Sequence, residues 1–194
     1  MGAKSIDKKN YILETAREIF AKNGYSKTTM KDVVAACQIS RGGVYLYFND
    51  VKDLFEAVME YEVDNQEDFA SKISEDASYA DVLALFLKEK KKVILNKKSS
   101  LVTAMYEYYF ENKTSGKKNH LKKEFDTDLY IVEQLIQEGI DAGEFYDIDA
   151  SRAASNLIYV LEGLRIAART RGVTEAAFDE EIMYVMQGIM RRSS

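Results

Sequence analysis

Hydrophobic positions recur at helical spacing along almost the whole chain. Between Asp7 and Asn23 the apolar residues fall at i, i+1, i+4, i+7 and i+8, which is one face of an amphipathic helix. The same period continues beyond residue 50, and no strand-like alternation recurs at short spacing. The pattern predicts an all-α protein of about nine helices. Six longer helices are predicted at 50–73, 79–96, 99–113, 118–142, 149–170 and 174–192.

Two short helices are predicted ahead of this series. Thr29 is a suitable N-cap for a helix that runs to about Cys37, and Ser40 is a suitable N-cap for a helix through Tyr47. Together with the preceding helix, which Gly24 ends, they match a helix-turn-helix arrangement. Spacing alone also fits an ordinary pair of packed helices. Other predicted caps and helix ends are Asn49-Asp50, Ser99, Gly143, Gly172 and Thr174.

The charge of the chain is distributed unevenly. The whole sequence carries a formal net charge of −5. Residues 1–52 hold nine Lys and Arg against five Asp and Glu, whereas the remainder holds 18 against 27. This asymmetry predicts a small surface that attracts phosphate, joined to an acidic body that does not.

Composition restricts the other classes of function. A single cysteine, Cys37, fits a reducing compartment, and the N-terminus lacks the apolar run of a signal peptide. No apolar stretch approaches the roughly 20 residues that cross a bilayer, so we expect a cytoplasmic protein without a membrane partner. His120 is the only histidine, and no catalytic motif is present. We therefore expect no metal, no cofactor and no enzymatic activity.

One segment carries a more specific signal. The run Thr28-Thr29-Met30-Lys31-Asp32-Val33-Val34, followed by Ile39-Ser40-Arg41-Gly42-Gly43-Val44-Tyr45-Leu46-Tyr47-Phe48, resembles the DNA-binding signature of the TetR family. The resemblance covers about residues 8–55. It implies a helix-turn-helix DNA-binding domain at 1–49 and a helical effector-binding and dimerisation domain at 50–194. It also implies a ligand-responsive transcriptional regulator, a repressor that binds a pseudo-palindromic operator in double-stranded DNA as a dimer and releases it on binding a small molecule.

Physical reasoning gives the residues of this segment separate tasks. Arg41 offers donors that read guanine or bind phosphate, and the following glycines allow close approach to the major groove. The start of the second helix offers free N–H groups to phosphate. Val44, Phe48 and Cys37 are interpreted as core residues, although Cys37 near the turn could also act as a redox sensor. The predicted DNA contacts are Thr28, Thr29, Lys31, Ser40, Arg41, Gly42, Gly43, Tyr45, Tyr47 and Lys52.

The segment departs from the family pattern at two positions. Gln38 stands in the turn where the family often has glycine. Val51 stands where the family commonly has a phosphate-binding lysine, and Lys52 is displaced from that position by one residue, or about 100° of helix rotation. Whether Lys52 replaces that lysine stays open at this point.

The larger domain carries the other predicted features. Aromatic and methionine side chains are candidates for the wall of an effector pocket, although a helical core uses the same residue types. These candidates are Phe86, Met105, Tyr106, Tyr109, Tyr130 and Tyr159. The last two helices are predicted to form the homodimer interface. Their residues at helical spacing are Ala153, Ala154, Leu157, Leu161, Leu164, Ala168, Ile182, Val185, Met186 and Ile189. The alternative function is a helical small-molecule or protein-binding module without sequence-specific DNA binding.

Overall fold

The computed structural model describes residues 3–64, 69–96, 100–112 and 119–191. Within these ranges the chain forms nine α-helices and one short 3₁₀ helix, and the only β-type pairing is an isolated bridge between Phe145 and Met190. The prediction of an all-α fold is confirmed. The helices are α1 (Ala3–Asn23), α2 (Met30–Cys37), α3 (Arg41–Tyr45), α4 (Val51–Asp64), α5 (Tyr79–Leu95), α6 (Val102–Glu111), α7 (His120–Asp141), α8 (Ala150–Thr170) and α9 (Glu175–Met186), and the 3₁₀ helix is Phe69–Lys72.

Most predicted helix boundaries agree with the structure to within a few residues, but two helices are shorter than predicted. Helix α4 is described as Val51–Asp64, and it does not continue to residue 73, because Phe69–Lys72 form a 3₁₀ helix. Helix α9 ends at Met186, because the chain beyond it turns to bond with the α7–α8 connection, where the N–H of Tyr146 donates to the carbonyl of Ile189 at 2.9 Å. The predicted cap Ser99 lies outside the described residues.

The chain divides into two compact units. The N-terminal unit comprises Met1–Glu67 and Lys98–Asn119, and the C-terminal unit comprises Asp68–Lys97 and His120–Ser194. Helix α6 therefore belongs with α1–α4, although it follows α5 in the chain. The predicted boundary after residue 49 divides the DNA-binding domain from the effector-binding domain by function, and it stays a prediction.

The core of the N-terminal unit is built around four aromatic rings. Tyr108 of α6 lies edge-on to Tyr25 at a ring-centroid distance of 5.1 Å, and its ring is 5.4 Å from that of Phe55. Phe20 meets Phe55 edge-on at 4.6 Å. Aromatic pairs in this arrangement contribute about 0.5–1.5 kcal/mol each beyond the area that they bury. These rings join α1, α4 and α6 into one core, which also contains the buried residues of α2 and α3.

Polar contacts attach α6 to the turn between α1 and α2. The N–H of Ser26 donates to Glu107 Oε2 at 3.0 Å, and the Ser26 hydroxyl donates to Glu111. Gly24 ends α1 at φ +83°, and a Cβ on it would lie 2.5 Å from the Glu107 carboxylate. The α1–α2 turn thus needs glycine for its left-handed backbone, and the carboxylate of Glu107 lies close against the same residue.

Helices α5, α7, α8 and α9 form the core of the C-terminal unit. Most apolar residues that the sequence pattern assigned to a subunit interface pack inside this core. Leu157, Leu161 and Ile182 are no more than 8% exposed, because they pack in the core of the same unit. These buried residues are therefore not available to a partner subunit, since helical spacing identifies an apolar face but not what packs on it. An interface through the last two helices stays a prediction.

A charged network lies within the C-terminal unit. Arg165, whose side chain is 5% exposed, donates to Glu124 Oε1 at 2.8 Å and pairs with Glu162 at 3.0 Å. Lys90 pairs with Asp128 at 2.5 Å and with Glu124 at 3.3 Å. Burial would raise the pKa of Glu124, but the charges of Arg165 and Lys90 lower it below its usual value. None of the described helices is long and apolar enough to span a bilayer.

Candidate nucleic-acid interface

The short helix α3 presents one face to solvent and one to the core. Ser40 begins it, with its Oγ accepting the N–H of Gly43 at 3.2 Å. Val44 and Phe48 are 0% and 2% exposed and anchor the helix and the turn after it, so their assignment to the core is confirmed. The opposite face carries Arg41 and Tyr45, both exposed.

Arg41 and Tyr45 are held together on that exposed face. The Arg41 guanidinium lies 5.1 Å from the centroid of the Tyr45 ring, one helical turn away. A cation over an aromatic face gains about 0.5–1 kcal/mol at an exposed site, which reduces the number of conformations open to both side chains. The structure therefore provides a partly ordered pair of donors, a guanidinium and a phenol, at the surface of α3.

The two glycines of α3 have different surroundings. A Cβ on Gly42 would meet nothing within 4 Å, whereas a Cβ on Gly43 would lie 2.6 Å from Ile39 Cγ2 and 3.3 Å from Lys8 Nζ. Gly43 is therefore required by packing inside the N-terminal unit. Gly42 leaves the backbone open on the solvent side, where a second molecule can approach it closely.

The start of α2 differs from the phosphate site that the sequence suggested. Thr29 and Asp32 form a capping box, in which the N–H and the hydroxyl of Thr29 donate to Asp32 Oδ2 at 2.9 and 2.6 Å. These donations lower the pKa of Asp32, so its carboxylate is ionised near neutral pH. Both Thr29 donors are thus engaged, and a phosphate here would have to be held by the exposed Lys31 and the first free amides of the helix.

Thr28 is not placed to contact DNA through its side chain. It is 5% exposed, and its hydroxyl donates to the carbonyl of Gly24 at 2.7 Å. The hydroxyl of Thr28 is therefore used inside the α1–α2 turn and is not available to donate to DNA. Its role is to hold the turn that positions α2.

The turn between α2 and α3 contains the first departure from the family pattern. Gln38 adopts φ +53° and ψ +31°, the left-handed conformation that favours glycine. Cys37, just before it, is 2% exposed, and burial raises the pKa of its thiol. A buried, protonated thiol is unreactive, which confirms the interpretation of Cys37 as a core residue.

The start of α4 contains the second departure. Asp50 Oδ1 accepts the N–H of Asp53 at 2.8 Å, and Asp53 Oδ2 accepts the N–H of Asn49 at 2.9 Å. Lys52 is exposed between these two carboxylates, which would repel a phosphate. Tyr47 is half-buried beside Phe48 at a ring-centroid distance of 6.4 Å. DNA contacts from Lys52 and Tyr47 stay predictions.

Two α1 residues that the sequence reasoning missed lie against α3 and the turn before it. The Tyr11 hydroxyl donates to the carbonyl of Cys37 at 3.3 Å, and Lys8 reaches Gly43. A signal was present, because Lys8 lies four residues before the fully buried Ile12 and therefore on the inner edge of α1. The exposed Leu46, next to Tyr45, is also absent from the predicted DNA contacts.

The six candidates for an effector pocket fall in both compact units. Met105, Tyr106 and Tyr109 belong to α6 in the N-terminal unit, where the Tyr109 hydroxyl lies 3.8 Å from Met59 Sδ. The C-terminal unit contains the other three. Phe86 is buried in its core, whereas Tyr130 and Tyr159 are 65% and 67% exposed. Their shared role in one pocket stays a prediction.

Comparison with known proteins identifies the family. The sequence model for bacterial regulatory proteins of the tetR family matches residues 12–58, and that for the tetracyclin repressor-like C-terminal domain matches residues 82–177. The transcriptional regulator YfiR of Bacillus subtilis is 32% identical over 138 residues, which cover 71% of this chain and 67% of YfiR. The chain belongs to the TetR family.

Two further relatives agree with this assignment. The HTH-type transcriptional regulator QacR of Staphylococcus aureus is 30% identical over 165 residues, covering 77% of this chain and 81% of QacR. A TetR transcriptional regulator from Chloroflexus aurantiacus superposes with a TM-score of 0.74 at 23% identity, over 97% of this chain and 99% of that one. The chain is therefore a transcriptional regulator with the TetR fold, which confirms the expectation drawn from residues 28–48.

Proposed function

We propose that this regulator is a repressor that binds a pseudo-palindromic operator as a homodimer and releases it when a small molecule binds. The observation that supports this most is the exposed face of α3, where Arg41 stacks on Tyr45 beside the open backbone of Gly42. Arg41 would read guanine, and Gly42 would allow the helix to press into the major groove. Lys31 would bind phosphate next to it and fix the register.

The dimer would form through the exposed faces of α8 and α9. On α8, Tyr159 and Ile166 are 67% and 48% exposed, and Gly163 between them has open space where a Cβ would stand. On α9, Met183 and Tyr184 are 61% and 78% exposed. Apolar side chains on two helices that pack together supply a face for a four-helix interface. This proposal assigns Tyr159 to the partner and not to the effector.

Release of DNA would depend on the positions of both α4 and α6, because both helices contact the N-terminal DNA-binding helices. The Tyr108 hydroxyl donates to Glu56 of α4, and Glu107 accepts the N–H of Ser26 ahead of α2. A small molecule that binds within the region matched by the C-terminal family model and favours another position of α6 would change the spacing of the two α3 helices. The driving force would be its different affinity for the two arrangements. Such a regulator would act in the cytoplasm.

Replacement of Arg41 tests this function. We expect Arg41→Ala to weaken binding to a duplex selected from random DNA and to relax specificity at one base pair by about 1–3 kcal/mol. Fluorescence anisotropy with single-base variants of the duplex measures both effects. Arg171→Ala, at an exposed position in the C-terminal unit, is the matched control. An Arg41→Ala protein with unchanged affinity and specificity would contradict the proposal and favour the alternative of a binding module without DNA specificity.

A further inference from the structure

The first turns of α1 precede the stretch that the N-terminal family model matches. Helix α1 begins at Ala3, whereas the match to the N-terminal family model begins at residue 12. Within this extension the side chains of Lys8 and Lys9 are described, Lys8 as half-buried and Lys9 as exposed. Nothing in the family match assigns them a role.

The geometry places the Lys8 ammonium at the side of α3. Lys8 and Tyr11 are three residues apart and lie on one face of α1. That face is held against the end of α2 by the hydrogen bond from the Tyr11 hydroxyl to Cys37. Farther along the same face, Lys8 Nζ is 3.3 Å from the point where a Cβ of Gly43 would stand, and Ser40 Oγ is 3.2 Å from that point. Lys8 thus reaches the first turn of α3.

The Lys8 ammonium has no ion-pairing carboxylate in the described part of the N-terminal unit. Among the described residues, no carboxylate lies within 4.0 Å of Lys8 Nζ. An ammonium that is held beside a helix start without an ion-pairing carboxylate attracts an anion. The anion next to a recognition helix in the major groove is the phosphate of the flanking strand.

We propose that Lys8 binds a DNA phosphate beside α3, so that the N-terminal extension of α1 is part of the DNA-binding surface. This inference rests on the proposed DNA-binding function. Lys8 would contribute affinity and register but no base specificity, because a phosphate carries no sequence information. It would act together with Arg41 and Tyr45, which face the bases from the exposed side of the same short helix.

The test compares the wild type with Lys8→Gln, Lys8→Arg and Lys123→Gln. Lys123 is an exposed lysine of α7 in the C-terminal unit. Lys123→Gln therefore removes one positive charge outside the unit that contains α3. Binding to a duplex selected by the wild type and to a random duplex is measured by fluorescence anisotropy over a series of salt concentrations. Thermal unfolding of each variant is recorded in parallel.

We expect Lys8→Gln to weaken binding to both duplexes by a similar factor of about ten. The slope of log affinity against log salt should become shallower by about one, as for the loss of one phosphate contact. Lys8→Arg should restore most of the affinity and the slope, and Lys123→Gln should match the wild type.

Two results would overturn the role of Lys8 while the wild type still binds DNA. One is a Lys8→Gln protein that binds like Lys123→Gln. The other is weaker binding with an unchanged salt slope, which would show that Lys8 only supports the packing of α3 against α1. Failure of the wild type to prefer its selected duplex would instead overturn the proposed function.

Discussion

Gln38 shows how a single residue can lower the stability of this fold. The sequence identified it as a departure from the family pattern, because glycine often occupies the turn between α2 and α3. The structure gives the physical consequence, a left-handed backbone at φ +53° that a side chain disfavours by about 1–2 kcal/mol. The conformation could not be read from the sequence alone, since it depends on how α2 and α3 pack against α1.

Gln38→Gly should therefore stabilise the protein. We expect a gain of roughly 0.5–1 kcal/mol, since relief of backbone strain exceeds the extra entropy of glycine in the unfolded chain. The corresponding rise in melting temperature is about 1–4 °C. As a control, Gln134→Gly at an exposed position inside α7 should lower stability by about 1 kcal/mol. Thermal and urea unfolding measure the stability of both variants. A Gln38→Gly protein that is less stable than the wild type would contradict the presence of backbone strain at residue 38.

Helix α6 shows the limit of sequence patterns at the scale of an element. Its period predicted a helix at 99–113, and the structure places it at Val102–Glu111. The pattern could not tell that its apolar face, with Ala104 and Tyr108, joins the core under the helix-turn-helix. An apolar stripe has the same spacing whichever helices it packs against. The sequence therefore predicted the helix-turn-helix and helix α6, but not that α6 packs into the core of the N-terminal unit.

Truncation of Tyr108 tests the attachment of α6. The residue is 1% exposed, and its ring contacts those of Tyr25 and Phe55. We expect Tyr108→Ala to destabilise the N-terminal unit by about 3–5 kcal/mol, because it leaves a cavity.

The matched control is Tyr130→Ala, at a 65% exposed position, where we expect a change within about 0.5 kcal/mol. Urea unfolding followed by far-ultraviolet circular dichroism compares the two variants. Equal stability of Tyr108→Ala and Tyr130→Ala would contradict the packing of α6 in the core of the N-terminal unit.

The whole molecule combines features that the sequence predicted with one that it misassigned. The contrast between a basic first quarter and an acidic remainder predicts that DNA binds the first quarter, which stays a prediction. The pairing of subunits could not be assigned in the same way, because α8 and α9 carry apolar residues on two faces. The structure turns Leu157 and Leu161 inward and leaves Tyr159 and Ile166 exposed.

Replacement of Ile166 tests the proposed subunit interface. Ile166→Asp should convert the dimer to a monomer of 22.1 kDa, because it places a charge in an apolar contact. Val93→Asp is the control, since Val93 is 49% exposed on α5 and Ile166 is 48% exposed on α8. Sedimentation velocity distinguishes the two states. A dimeric Ile166→Asp protein would place the interface elsewhere.

The most direct test of the account is equilibrium binding of the wild-type protein to a duplex selected from random DNA, compared with a random duplex, across a range of salt concentrations. We expect the selected duplex to bind at least about 10³-fold more tightly than the random duplex. We also expect the affinity for both duplexes to fall as salt rises, because basic residues of the N-terminal unit would contact phosphates. Equal affinity for the two duplexes, or no binding to either, would contradict sequence-specific DNA binding by this chain.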